Sequence, residues 1–314
     1  MKTLPAHFFL MSISFLGLIS SFGCGTEKSA DSGKKDAKVQ QLPPTTPGLD
    51  LQKEDYAEAR RKFRTNLIKK GPAPQNWHPV KLLPGVSEVE FPSGALRLKA
   101  WTNRPSKAAA GKLPAVLFLH GGWAFGEDDW EQAQPLCEAG FIVLIPILRG
   151  ENGQAGNFTM FYDEIDDVLA AADYLARLPY VDANRIYLAG HSAGGTLTML
   201  AAMSSKRFRA AASLSGSADR VAFVNGGWDK VVPFDRSDIR EFQVRSPVAY
   251  ATSFKCPTRL YYGSQETVFD AETRRTAQLA KSAGLDVEAV AIPGDHFSSV
   301  PEALRQAIEF FRKN

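Results

Sequence analysis

The sequence predicts an α/β fold with a mostly parallel central sheet, helices on both faces and an antiparallel hairpin at its start, on three observations. Short apolar strands alternate with amphipathic helices from Ala115 onward. Parallel neighbours need a crossover helix between them, so this rhythm builds a sheet covered on both sides. Before it, Val86, Val89 and Phe91 stand across Pro92-Ser93-Gly94 from Leu96, Leu98 and Trp101, the spacing of a hairpin. The third observation is a glycine-flanked serine, Gly190-His191-Ser192-Ala193-Gly194, between an apolar strand and a helix.

The elements follow in chain order. Lys2 precedes an apolar stretch, Phe8 to Phe22, that ends at Gly23-Cys24. This is the pattern of a secretory signal, and it is shorter than the ~20 apolar residues of a membrane-spanning helix. Residues 1–24 are therefore expected to send the chain out of the cytoplasm. Residues 25–54 hold hardly an apolar side chain until near their end and read as a flexible linker, because they cannot bury enough surface to offset ordering entropy. From Asp55 to Lys70, Tyr56, Phe63 and Leu67 share a helical face and Gly71-Pro72 stops it, so residues 55–80 are expected to form an N-terminal helical extension packed on the main domain.

The main domain spans residues 81–314. After the hairpin come strand Ala115–Leu119, helix Asp129–Ala139, strand Phe141–Ile147, helix Asp163–Leu178, strand Arg185–Ala189, a helix from Ala193 and strand Ala210–Leu214. The rhythm then breaks over residues 216–256, an insertion expected beside the active site, where it can shape the substrate pocket. Strand Thr258–Tyr262, helix Asp270–Ala283, strand Val287–Ile292 and a helix from Pro301 complete the domain. A net charge of +3 without a long basic tract excludes nucleic acid as a partner. Cys137 and Cys256 are too few for a disulfide framework and are expected as small buried hydrophobes.

The serine pattern is a nucleophile elbow, in which a tight strand-to-helix turn lifts the Ser192 hydroxyl above the sheet; Gly190 and Gly194 permit the crowding. With it the fold becomes an α/β-hydrolase fold. A serine hydroxyl needs a base to take its proton, and in this fold the base follows the last strand. His296, in the loop Pro293-Gly294-Asp295-His296, is the one histidine placed there. The acid that orients the imidazole belongs after strand Thr258–Tyr262, where Glu266 and Asp270 compete. Glu266, in the tight loop, is the expected acid; Asp270 is the alternative, already explained as a helix cap. The loop His120-Gly121-Gly122-Trp123 can aim backbone N–H groups at a developing oxyanion, with Trp123 and Ala193 the expected pair. No clustered His, Cys or Asp set has metal-ligand spacing, so neither metal nor cofactor is implied.

Three stretches then resemble a known family: His120-Gly121-Gly122; Arg149-Gly150-Glu151-Asn152-Gly153 with Gly156; and Val181-Asp182 through Arg185-Ile186 into the elbow and Gly195. Together they are similar to the catalytic domain of the prolyl oligopeptidase family, from about residue 81 to the end. The resemblance implies hydrolysis of esters or peptide bonds by a serine, acid and histidine triad without metal or cofactor, carried over to Ser192, Glu266 and His296. Arg149 enters as a supporting residue of a glycine-stiffened turn. The region before residue 81 is too short for the β-propeller of the family's large peptidases, and Glu stands where Asp is usual. Both departures bring the chain toward single-domain esterases of the dienelactone-hydrolase kind.

The expected substrate is thus a small ester or short peptide, with no protein partner implied. A catalytically silent, surface-anchored binding protein is the alternative from another class. The segment ending at Cys24 also resembles the bacterial lipoprotein signal, with Ser21 where Leu is preferred, and implies membrane attachment through lipidated Cys24; plain secretion, with an incidental Cys24, is the alternative.

Overall fold

The computed structural model describes residues 46–105, 111–267 and 269–314; the predicted signal, Cys24 and most of the linker lie outside the described residues. The strands are β1 (Val86–Ser93), β2 (Leu96–Asn103), β3 (Leu113–Leu119), β4 (Ile142–Pro146), β5 (Val181–His191), β6 (Ala211–Leu214), β7 (Thr258–Gly263) and β8 (Val287–Ile292). They form one eight-stranded sheet in the order β1-β2-β4-β3-β5-β6-β7-β8. β1 and β2 are antiparallel, β2 lies antiparallel to β4, and every later pairing is parallel. This is an α/β-hydrolase fold. The hairpin turn is Gly94-Ala95 rather than Pro92-Ser93-Gly94, because Ser93 already pairs with Leu96. A two-residue turn requires left-handed backbone, and Gly94 supplies it at φ 57°.

The helices are α1 (Tyr56–Lys62), α2 (Glu127–Glu138), α3 (Glu164–Arg177), α4 (Ala193–Ser204), the short α5 (Arg220–Phe223) and α6 (Ile239–Gln243), α7 (Phe269–Ser282) and α8 (Val300–Lys313). None of the described helices is long and apolar enough to cross a membrane. Side chains alternate across a strand, so β3 feeds both cores. Ala115, Leu117 and Leu119 join the core under α3 and α4, while Val116 and Phe118 join the one under α2 and α8. Each such fully buried Leu, Val or Phe contributes about 1.5–3 kcal/mol, which makes the two sheet faces the main source of stability. Cys137 and Cys256 are free and half-buried beside these cores.

The helix expected over Asp55–Lys70 stops at Lys62. Asp55 caps it through the N–H groups of Ala57 and Glu58, but beyond Phe63 tertiary bonds replace the helical ladder. The Thr65 hydroxyl and the Asn66 N–H bond the buried Glu241 carboxylate at 2.8 and 2.5 Å, and Leu67 forms a β-bridge with Phe234. Helical propensity is a weak preference, and pairing with residues far along the chain overrides it here. The buried Arg245 ties this corner together: it donates to Glu241 at 2.5 Å, to the Thr159 carbonyl at 2.9 Å and to the Thr65 hydroxyl at 2.7 Å. The extension then runs on as a strap, with Ala73 N–H on the Gly150 carbonyl at 2.9 Å, and reaches the carboxyl edge of the sheet.

Candidate active site

β5 ends on a sharp corner. Ser192 sits at φ 55°, ψ −115°, a conformation a side-chain-bearing residue adopts only under constraint, and its N–H bonds the Leu214 carbonyl of β6 at 2.9 Å. The corner is tight enough that a Cβ on Gly190 would overlap the Gly194 carbonyl, and one on Gly194 the Leu119 carbonyl. That crowding is the physical reason for both glycines. The turn projects the Ser192 hydroxyl above the carboxyl ends of the strands.

His296, in the loop after β8, reaches that hydroxyl: its Nε2 lies 3.0 Å from Ser192 Oγ. Its Nδ1 lies 2.5 Å from Glu266 Oε1, in the turn after β7. The other oxygen of Glu266 accepts from the Ser215 hydroxyl and the Gly263 N–H, both at 2.6 Å. Burial alone would raise this carboxyl, but the bonds from His296, Ser215 and Gly263 outweigh it and hold Glu266 below the usual carboxylate range. Asp270 is turned elsewhere, paired with Arg274 one helical turn on. Asp295 closes its own loop, accepting from Phe297 N–H at 3.0 Å and Ser298 N–H at 2.8 Å.

His191, named in the sequence only as part of the elbow, braces the His296 loop. Its Nε2 donates to the His296 carbonyl at 2.9 Å, and the two rings stand 4.8 Å apart. Burial first, then the nearby His296, lowers the His191 imidazole to about 4, so it is neutral and this bond holds at neutral pH.

The loop after β3 carries the expected oxyanion donor, and a side chain is already bonded to it. Trp123 N–H donates to Gln75 Oε1 of the extension at 2.8 Å. Ala193 opens α4, where the first N–H groups lie outside the helix's own ladder. Both residues line one cavity of about 120 Å³ together with Ser192 and Gln75. Phe161, Phe223 and Trp228 wall it, and Arg220 lines it too. The 216–256 segment thus contributes directly to the pocket, through Arg220, Phe223 and Trp228.

The remaining expected residues support the loops. His120 is buried, its Nε2 2.9 Å from Glu151 and its Nδ1 2.9 Å from the Gly121 carbonyl. Gly121 brings this loop against the elbow; a Cβ there would lie 3.7 Å from Ser192 Cβ. Arg149 makes a bidentate pair with Asp167 of α3 at 2.8 and 2.7 Å, which anchors its turn and leaves it out of the cavity lining. Gln75, Phe161, Ser215, Arg220, Phe223 and Trp228 were not singled out by sequence reasoning. The last three lie in the predicted insertion, which was the one available signal. Among the described residues no group of three or more His, Cys, Asp or Glu side chains is arranged to hold a metal.

Residues 127–313 match the prolyl oligopeptidase family. An uncharacterised peptidase of Bacillus subtilis, YtmA, is 28% identical over 192 residues, 55% of this chain and 70% of that protein. The acylaminoacyl peptidase of Pyrococcus horikoshii shares the fold at a TM-score of 0.60 and 22% identity, over 72% of this chain but 40% of its own length. A Klebsiella pneumoniae protein assigned as a dienelactone hydrolase shares it at 0.59 and 18% identity, over 73% of this chain and 98% of its own. The family match takes in the elbow and the loops after β7 and β8 and spans more than half of the sequence, and on that ground this chain belongs to the prolyl oligopeptidase family and is a serine hydrolase.

Proposed function

We propose that this serine hydrolase cleaves small esters or short peptides, with Ser192 as nucleophile, His296 as general base and Glu266 as the acid that orients the imidazole. One observation carries the reading: an unbroken line of bonds from Ser192 Oγ to His296 Nε2 at 3.0 Å and from His296 Nδ1 to Glu266 at 2.5 Å. Ser192 Oγ attacks the substrate carbonyl carbon while its proton passes to Nε2. The carbonyl oxygen, now an oxyanion, accepts from the Ala193 and Trp123 N–H groups, displacing Gln75 from the latter. Collapse expels the alcohol or amine, which leaves with the proton from the imidazolium. Water then attacks the acyl-serine by the same route in reverse and restores the hydroxyl.

The site is proposed to work outside the cytoplasm, on a chain tethered through lipidated Cys24. The sequence of residues 1–24 supports that placement, and Cys24→Ala is expected to move the protein from the membrane to the soluble fraction. A fluorophosphonate probe tests the chemistry: intact protein should be labelled and Ser192→Ala should not. Intact protein that resists the probe would instead favour a silent binding protein. A panel of nitrophenyl esters and aminoacyl-anilides then separates esterase from peptidase.

A further inference from the structure

The pocket beside Ser192 holds an arginine that the triad chemistry does not use. Arg220 is fully buried, yet it lines the cavity shared with Ser192 and Ala193. Its Nε and Nη1 have no hydrogen-bond partner among the described residues, and Nη2 has only a long contact of 3.5 Å to the Thr196 hydroxyl. Among the described residues no carboxylate bonds it: the charges of Glu272 and Asp219 are near enough to favour the cation, but Glu272 accepts from the N–H groups of Ala218 and Asp219 at 2.7 and 2.6 Å, and Asp219 caps α5 through Ala222 N–H at 2.8 Å. A buried guanidinium with open donors is costly unless something completes it.

The aromatic surroundings orient that charge. The rings of Phe161 and Phe223 lie over the guanidinium, each 4.3 Å from Cζ, so its faces are stacked and its donor edge is left for hydrogen bonding. Phe161 reaches this place at a cost in backbone strain, with Met160 at φ 56° and Phe161 at φ 72°. The strained turn is held from below by Glu164, which accepts from Thr159 N–H at 2.6 Å and Tyr162 N–H at 3.0 Å, and by Arg245 on the Thr159 carbonyl.

We propose that Arg220 is a specificity residue that binds a carboxylate at the far end of the substrate's acyl group, as in an acidic amino-acid ester or an acidic residue at the acyl position of a short peptide. The inference rests on Ser192 being the nucleophile. A cavity of about 120 Å³ is somewhat smaller than one that admits benzene, so it holds a short acyl side chain. The charge on that chain would then meet the buried Arg220 guanidinium through charge-assisted bonds.

The α-methyl esters of N-acetylglutamate, N-acetylglutamine and N-acetylmethionine differ in that charge at nearly constant size. The wild type is expected to prefer the glutamate ester over the glutamine ester by about tenfold or more in kcat/KM, and Arg220→Met should bring the ratio near one. Arg220→Lys, which keeps a cation but loses the fork, should retain a smaller preference and serves where the Met variant does not fold. Equal or better turnover of the two neutral esters by the wild type overturns the proposal while leaving the nucleophile in place. A glutamate preference that survives Arg220→Met also overturns it. No turnover of any ester together with no fluorophosphonate labelling removes the underlying assignment of Ser192 instead.

Discussion

Two histidines in this protein each bond a glutamate, and the partner of the second ring nitrogen separates them. In the loop after β3, His120 faces two acceptors, Glu151 at 2.9 Å and the Gly121 carbonyl at 2.9 Å. An imidazole can satisfy both only by carrying both protons. Burial pulls it down, but the charge and bond of Glu151, with Asp129 nearby, more than offset this and raise His120 to about 9. In the loop after β8, His296 bonds Glu266 through Nδ1 but meets a hydroxyl at Nε2. A hydroxyl can donate, so Nε2 can accept and then take a proton. The same two residue types therefore build a fixed cation in one place and, at His296, an imidazole placed to act as the proposed base.

Removing the His296 imidazole has the largest expected effect. His296→Ala is expected to lower kcat on any accepted ester by about 10⁶-fold, while the fold, read by circular dichroism and melting, stays intact. A loss of less than tenfold would mean that His296 takes no proton. Glu266→Gln should cost about 10⁴-fold, because the amide can present its NH₂ to Nδ1 and stabilise the tautomer in which Nε2 cannot accept. Retention of most activity would move the role of the acid away from Glu266.

The opposite signature is expected at the other pair. Glu151→Gln should cost about 3 kcal/mol or more of stability, since it strips a buried imidazolium of its countercharge, and should change turnover far less than Glu266→Gln. The wild-type pH dependence follows from His120 being raised from 6.5 to about 9. Below about pH 6.5 both folded and unfolded chains hold the proton, and the stabilisation is whole. As pH rises through about 9 the folded imidazole releases it, so about 3 kcal/mol disappears between these limits. Urea titrations at pH 6 and pH 9.5 check this. An equal slope in wild type and Glu151→Gln would rule out the charged pair.

Much of this was legible in the sequence because the middle strands of the sheet are buried on both faces. β3 to β6 carry apolar runs set apart by helical periodicity, and the order of serine, acid and histidine along the chain pointed to Ser192 and His296, whose side chains the structure brings within 3.0 Å. The choice between Glu266 and Asp270 was not legible. It depends on bonds from Ser215, 51 positions away, and on the Arg274 pairing of Asp270. The end of α1 was hidden for the same reason, since Glu241 lies 175 positions beyond the Asn66 N–H it receives. Arg220 and Phe161 carry no local pattern at all; their meeting is made by a strained turn and an irregular segment. Periodicity reports which face is buried, and such contacts are not periodic.

The loop built by His120 also sets up the smallest expected effect, at the strap. Gln75 Oε1 accepts from Trp123 N–H at 2.8 Å, the donor proposed for the oxyanion, and so competes with substrate for it. One neutral hydrogen bond has a net value of about 1 kcal/mol, so Gln75→Ala should raise kcat/KM for small esters by up to about fivefold. Gln75→Glu should lower it, because a carboxylate offers that N–H a stronger acceptor than an amide does. If Gln75→Ala instead lowers activity, the side chain holds the Gly122-Trp123 turn in shape and does not compete. The two variants together separate these roles, because a purely structural glutamine would tolerate neither change, whereas a competitor would respond to them in opposite directions.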